Sequence, residues 1–405
     1  MVKCRVCGGT LDEFVDFGRQ PLSDAFLEPG RVDDEFFFRL AVGMCASCTM
    51  VQLVEEVPRE RMFREDYPYV SSGSAVMRDH FESTARHFLD TELAGSDPFI
   101  VEIGSNDGVM LRAIQKAGVR HLGVEPSGRV AEQARAQGVQ VRHDFFEESS
   151  AAQMRQEHGP ADMVYAANTL CHIPYTDSIF QGVDALLTPG GVFVFEDPYL
   201  GEIIDRTAFD QIYDEHFYFF TARSVQAMAQ RFGFRLVDVQ RLSVHGGEVR
   251  YTLARAGMRT PTAAVAELVA EEAVKGLADL ATFERFALAV ERVREDLMTL
   301  LRRLHAEGST VVAYGATAKS ATVTNFCGID SDLVSFVCDT TPAKQGRLTP
   351  GAHLPVRPAE DFAAPFPDYA LLFAWNHAAE IMAKEEAFHG AGGRWILYTP
   401  DVHVV

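Results

Sequence analysis

The chain has 405 residues, which predicts two or three domains rather than one. Its 47% hydrophobic and 23% charged content is that of a soluble globular protein, and a net charge of −20 excludes general adhesion to nucleic acid or anionic lipid. No apolar run reads as a signal peptide or membrane span, and seven cysteines without an export signal argue against a disulfide framework. A cytosolic, monomeric protein with no nucleic-acid or membrane partner is therefore expected.

Residues 1–66 read as a short, turn-rich module holding four of the seven cysteines. Cys4-x2-Cys7 and Cys45-x2-Cys48 are two knuckles that set four thiolates on tight turns, enough to close a tetrahedral zinc shell. A four-sulfur shell leaves no open position, so this zinc is expected to be structural. The alternative is four reduced thiols without metal. Cys171, Cys327 and Cys338 sit in apolar surroundings and read as core.

Residues 67–256 alternate apolar strands with helices, which implies a parallel sheet covered on both faces. Strands are expected at 99–103, 121–125, 139–142, 162–167 and 192–196. A hairpin of 235–242 and 248–255, joined through His245-Gly246-Gly247, is expected to close the sheet. Phe99-Ile-Val-Glu102-Ile-Gly104-Ser-Asn106-Asp107-Gly108 is a strand running into a glycine-rich turn, where a cofactor can approach the backbone closely. Glu125 ends the second strand and can accept from both ribose hydroxyls. Asp144 and Phe145, after the third strand, offer a carboxylate and a ring to adenine, and Asn168 ends the fourth strand beneath the cofactor. The G-x-G-x-x-G dinucleotide fingerprint is absent. Singly, Asp144 could be a helix cap and Phe145 core. Together they favour S-adenosylmethionine, with Glu102 near its methionine amino group.

Residues 257–405 begin with a helical stretch over 260–307, followed by strands expected at 310–314, 333–339, 369–374 and 395–398. This predicts a second, smaller Rossmann-like sheet. Tyr314-Gly315-Ala-Thr317-Ala-Lys319 is a strand, a small-residue turn and a helix start, and its N–H groups with Lys319 could cradle a diphosphate. Trp375 and His377 could line the same crevice. The bland alternative is a purely structural unit with Lys319 solvated.

These motifs converge on one group. The zinc knuckles, Val101-Glu-Ile-Gly-Ser-Asn-Asp-Gly108, Asn168-Thr-Leu-Cys-His-Ile-Pro174, Tyr213-Asp-Glu-His216, His245-Gly-Gly247 and Tyr314-Gly-Ala-Thr-Ala-Lys319 resemble the deoxysugar C-methyltransferases of antibiotic biosynthesis. The resemblance covers the whole chain and is strongest to the carbon-3 methyltransferase of the tetronitrose pathway. It implies an α/β protein of three domains: a zinc-binding N-terminal module, a central class I adenosylmethionine domain with a Rossmann-like fold, and a C-terminal Rossmann-like α/β domain that helps hold a thymidine-diphosphate sugar. The implied substrate is a 3-amino-4-keto-2,3,6-trideoxyhexose, while relatives methylate carbon 3 or carbon 5 of other keto-sugars. A sugar C–H loses its proton only when a neighbouring carbonyl spreads the charge, so the chemistry needs a base near carbon and donors near the keto oxygen. The resemblance implies His216 as that base, titrating near neutral pH. It also implies that Tyr213 contacts the sugar or enolate, Glu215 orients its neighbours, and His172 and Tyr67 belong to the pocket. Positions 213 and 216 share a face only if that segment is helical. The rivals are methylation at carbon 5, a nicotinamide-dependent sugar oxidoreductase, and a non-catalytic zinc-and-nucleotide adaptor.

Overall fold

A strand buried on both faces needs a largely apolar run, and Phe99–Ile103 supplies one, interrupted only by Glu102, with all five residues buried. It lies inside a seven-stranded sheet in the computed structural model, which describes residues 2–63 and 69–405. Arg120–Val124 and then Val141–Arg142 lie parallel on one side. Ala161–Ala167 and Leu187–Pro198 lie parallel on the other. Glu248–Arg255 then inserts antiparallel, with Phe234–Leu242 outermost. The expected strands and hairpin are all present. The loops leaving the carboxyl ends of the parallel strands therefore share one edge, where such folds bind ligands.

The reading of residues 1–66 as merely turn-rich is corrected. Leu11–Pro21 and Phe37–Cys45 are long antiparallel strands, followed by Val51–Leu53. Register shifts between Glu13 and Val15 and between Asp16 and Arg19 break the alternation of the first strand, which hides it from a period-two pattern. The fourth strand of this sheet is Tyr218–Phe219, lent by the central unit and paired with Val51 and Gln52.

The helical stretch over 260–307 is two helices, Ala263–Lys275 and Leu280–Ala306, broken where Gly276 adopts φ 69°. The second buries Phe283, Phe286, Val290, Val293, Leu297, Leu301 and Leu304 along one face. Phe283 stacks on Phe14 of the first strand, so this helix ties the third unit to the first. The C-terminal sheet runs Val356–Pro358, Val337–Asp339, Val311–Tyr314, Tyr369–Leu372, Arg394–Leu397, His403–Val404, parallel except for the last strand. One apolar core runs through all three units. Among the described residues no helix is long and apolar enough to cross a membrane.

Candidate active site

The two knuckles fold alike. Gly8 and Thr49, each four residues past the first cysteine of its pair, take φ values of 74° and 59° and return N–H bonds to Cys4 and Cys45. Cys4 Sγ lies 3.6 Å from Cys48 Sγ, and Cys7 Sγ 3.5 Å from Cys45 Sγ. A tetrahedral zinc with bonds of about 2.3 Å sets its sulfurs about 3.8 Å apart, so the cluster fits the ion closely. Gly9 leaves the room, since a Cβ there would stand 3.0 Å from Cys45 Sγ and 3.2 Å from Cys7 Sγ.

A cavity of about 300 Å³ opens at the carboxyl edge of the central sheet and is lined from all three units. On the cofactor side it is lined by Gly104, Asn106, Glu125, Phe145 and Asn168, as expected from sequence. Glu125 accepts from Asn106 N–H at 2.9 Å and Ser127 N–H at 2.8 Å, one on each oxygen. Each oxygen keeps a lone pair, which suits two ribose hydroxyls. Gly104 is demanded by packing as well, because a Cβ would lie 2.3 Å from Thr169 Oγ1.

Four expected cofactor residues do not line this cavity. Burial, with Asp107 nearby, raises the Glu102 carboxyl well above the usual range, and its Oε2 has no hydrogen-bond partner among the described residues. Asp107 is itself buried. Gly108 serves packing, since a Cβ would meet Ala134 and Val139. Asp144 pairs with Arg142 at 3.1 Å. Near Glu102, Glu196 bonds His80 at 2.7 Å and Arg250 Nε at 2.7 Å, which together hold it below the usual carboxylate range despite its burial.

The segment Tyr213–His216 is a turn, not a helix, closed by His216 N–H to the Tyr213 carbonyl at 3.1 Å. That turn brings Tyr213 Oη to 2.7 Å from His216 Nε2, while His216 Nδ1 lies 2.8 Å from the Gln211 carbonyl. Burial, with His172 beside it, pushes His216 well below its ordinary value, so it is neutral at physiological pH. The expectation that it titrates near neutrality is corrected. His172 packs with ring centroids 5.3 Å from His216, and burial lowers it to about 4. Its Nε2 is buried without a hydrogen-bond partner among the described residues. Glu215 is buried and lines the cavity with Tyr213, His216 and His172. Tyr67 lies outside the described residues.

All three units hold this turn. Asp210 accepts from Trp375 Nε1 at 2.6 Å and Tyr398 Oη at 2.7 Å, and Thr322 Oγ1 donates to the Ile212 carbonyl at 2.7 Å. Asp214 accepts from Ser23 N–H at 2.9 Å. Phe217 N–H reaches the Cys171 carbonyl at 2.8 Å.

The C-terminal unit contributes Thr317, Lys319 and His377 to the lining. Lys319 is buried, donates to Asn376 at 3.3 Å and lies 5.0 Å from the centre of the Trp375 ring. Trp375 therefore backs Lys319 instead of lining the cavity. Tyr314 is corrected to core: it points to the far sheet face among Phe362 and Trp395 and donates to Glu385 at 2.7 Å. Gly315 lies close under Ala374 and does not line the cavity. Sequence reasoning missed Asp24, Arg59 and Lys344, which do. Lys344 donates to the Ala316 carbonyl at 2.8 Å and faces Asp24 at 3.5 Å. Arg59 lies 4.1 Å over the Phe145 ring. These residues come from other units, and no local pattern announces their meeting.

The strand order, the glycine-rich turn after the first strand and the acid ending the second define a class I methyltransferase domain, here with a zinc module in front and a second sheet behind. Residues 4–63 match a family described as a zinc binding domain, 77–239 a methyltransferase domain, and 243–400 a C-methyltransferase C-terminal domain. The C-methyltransferase NovU of Streptomyces niveus is 35% identical over 410 residues, covering 100% of this chain and 96% of that protein. The chain belongs to this C-methyltransferase family and is an S-adenosylmethionine-dependent C-methyltransferase with a zinc-binding N-terminal domain. Solved structures are similar over part of the chain. A methyltransferase of Anabaena variabilis, 18% identical, covers 43% of this chain and 84% of its own at a TM-score of 0.35. The magnesium protoporphyrin IX methyltransferase of Synechocystis with bound SAH, 12% identical, covers 49% and 93% at 0.36.

Proposed function

We propose that this enzyme transfers the methyl group of S-adenosylmethionine to the carbon beside the keto group of a thymidine-diphosphate-linked 4-keto-deoxysugar. The position is carbon 3 of a 3-amino-2,3,6-trideoxyhexose, and the enzyme works as a cytosolic monomer. The observation carrying this reading is one cavity lined by Glu125, by Tyr213 with His216, and by Lys319 with Lys344. A ribose acceptor, a proton acceptor and two cations for a diphosphate are the parts that such a transfer needs.

In this reading Glu125 holds the cofactor ribose, and Gly104, Asn106, Phe145 and Asn168 shape its bed. Glu102, Asp107, Gly108 and Asp144 support the loops around it. When bound, the cofactor supplies an electrophilic methyl. Thr317, Lys319 and His377 face the nucleotide, with Trp375, Gly315 and Tyr314 shaping that unit from behind. The Tyr213–His216 pair removes the proton, leaving an enolate whose oxygen His172 can meet with its ring N–H. Glu215 orders the turn, and Tyr67 belongs to the same pocket by resemblance. Enolisation before methylation avoids attack by an unactivated C–H, which no base of this strength could drive alone.

Incubation with methyl-labelled cofactor and a panel of thymidine-diphosphate 4-keto-deoxysugars, with and without a 3-amino group, tests the assignment. Label at carbon 3 of the amino sugar is expected. Label at carbon 5, or NAD(P)-dependent turnover without methylation, sinks it. His216→Asn is expected to lower turnover by about 10²–10⁴-fold, the usual contribution of a general base, with cofactor affinity by calorimetry unchanged.

A further inference from the structure

We infer that Tyr213 Oη is the atom that takes the proton from the sugar carbon, with His216 Nε2 receiving the tyrosine's own proton in the same step. This rests on the enolate reading above and concerns only which atom meets the carbon.

The hydrogen-bond bookkeeping around His216 carries it. A carbonyl oxygen only accepts, so the 2.8 Å contact with Gln211 requires the hydrogen of His216 to sit on Nδ1. One lone pair remains on the ring, at Nε2, and Tyr213 Oη stands against it at 2.7 Å. That lone pair can only accept, so the tyrosine donates. His216 is 3% exposed and Tyr213 partly exposed, both line the cavity, and the 2.7 Å contact sets Tyr213 Oη against the one open lone pair of the imidazole. A carbon-bound proton therefore meets the phenol oxygen, which keeps two lone pairs of its own, before it can meet the imidazole.

The chemistry suits a concerted transfer. Burial raises the Tyr213 phenol well above its ordinary value and lowers His216 well below its own, so neither a free phenolate nor an imidazolium rests in the pocket. The C–H bond breaks and its proton joins Tyr213 Oη, while the Oη–H proton passes to Nε2. The electron pair stays on the sugar as the enolate, whose negative charge offsets the imidazolium formed. The carbon then attacks the sulfonium methyl, the thioether leaves, and His216 returns its proton through Tyr213 to solvent.

The test separates proton removal from methyl transfer. The keto-sugar nucleotide is held in D2O with the enzyme and S-adenosylhomocysteine, which has no methyl to give, and deuterium entry beside the carbonyl is followed by NMR. Wild-type exchange and methylation come first; if both fail with every 4-keto sugar, the functional reading falls with the relay. Tyr213→Phe is then expected to lose exchange by at least about 10²-fold, as fully as His216→Asn, with unchanged cofactor affinity. Tyr213→Phe leaves Nε2 open to substrate, so exchange within tenfold of wild type would overturn the relay in favour of direct attack by His216. Should Tyr213→Phe misfold, a ring-fluorinated tyrosine at 213 decides, because it keeps the shape and makes the phenol more acidic. The relay expects a several-fold change in exchange rate at fixed pH, and an unchanged rate overturns it.

Discussion

Asp197 is fully buried beside Cys171, and burial pushes its carboxyl up from an ordinary 3.8 to about 8. Below 3.8 the folded and unfolded chains both hold that proton. Between 3.8 and about 8 the unfolded chain has released it while the folded chain has not, so the folded state loses stability as pH rises through this window. Above about 8 both are ionised and the loss stops. Asp197→Asn removes the titration at nearly constant shape. Its melting temperature relative to wild type is expected to rise steadily from about pH 4 to about pH 8 and then level, by scanning calorimetry. A pH-independent difference would show that Asp197 ionises normally. At this scale residue type was more legible than direction. Glu125 and Lys319 line the cavity, yet Tyr314, from a strand equally legible, packs away from it against Phe362 and Trp395. A strand turns successive side chains to opposite faces, and a buried strand apolar on both sides does not reveal which face meets the ligand.

The turn carrying Tyr213 and His216 has little regular structure of its own, so neighbouring elements set its position. The helix Ala318–Cys327 reaches it through Thr322 Oγ1, a buried hydroxyl 2.7 Å from the Ile212 carbonyl. Thr322→Val keeps the shape and leaves that carbonyl without its donor, which costs about 1–3 kcal/mol for a buried group. A matching fall in thermal stability is expected, with kcat reduced and calorimetric affinity for S-adenosylmethionine unchanged, because the cofactor lining lies on other loops. Unchanged kcat would show that the hydroxyl only fills space. Elements of this kind explain which parts of the fold were legible. Strands such as Phe99–Ile103 announce themselves by largely apolar runs between turn residues, here Pro98 and Gly104. Val356–Pro358, Tyr218–Phe219 and His403–Val404 have two or three residues each, too few for any period to register, and they exist because a neighbouring strand offers its edge.

Across the whole molecule, the zinc knuckles and the turn carrying Tyr213 and His216 adjoin one sheet. Cys45 ends one strand, Cys48 follows in the turn, and Val51–Leu53 then pairs with Tyr218–Phe219, two residues beyond His216. Leu53 N–H also reaches the Phe217 carbonyl at 2.9 Å, and Arg5, inside the first knuckle, donates its N–H to Gln52 at 3.1 Å. A metal held by the four thiolates would fix the two knuckles against each other, and the strand between them and the Tyr213–His216 turn would transmit that order. Gly104, Glu125 and Asn168, proposed above to hold the cofactor, belong to a different sheet. Removing zinc with a strong chelator is therefore expected to depress methyl transfer while largely sparing adenosylmethionine affinity. Hydrogen exchange should quicken at Phe217–Phe219 and stay slow at Phe99–Ile103. Zinc added back should restore both turnover and protection together. Equal loosening of the two sheets would mean that the metal stabilises the whole fold, and loss of cofactor affinity at unchanged exchange would place its influence on the other side of the cleft.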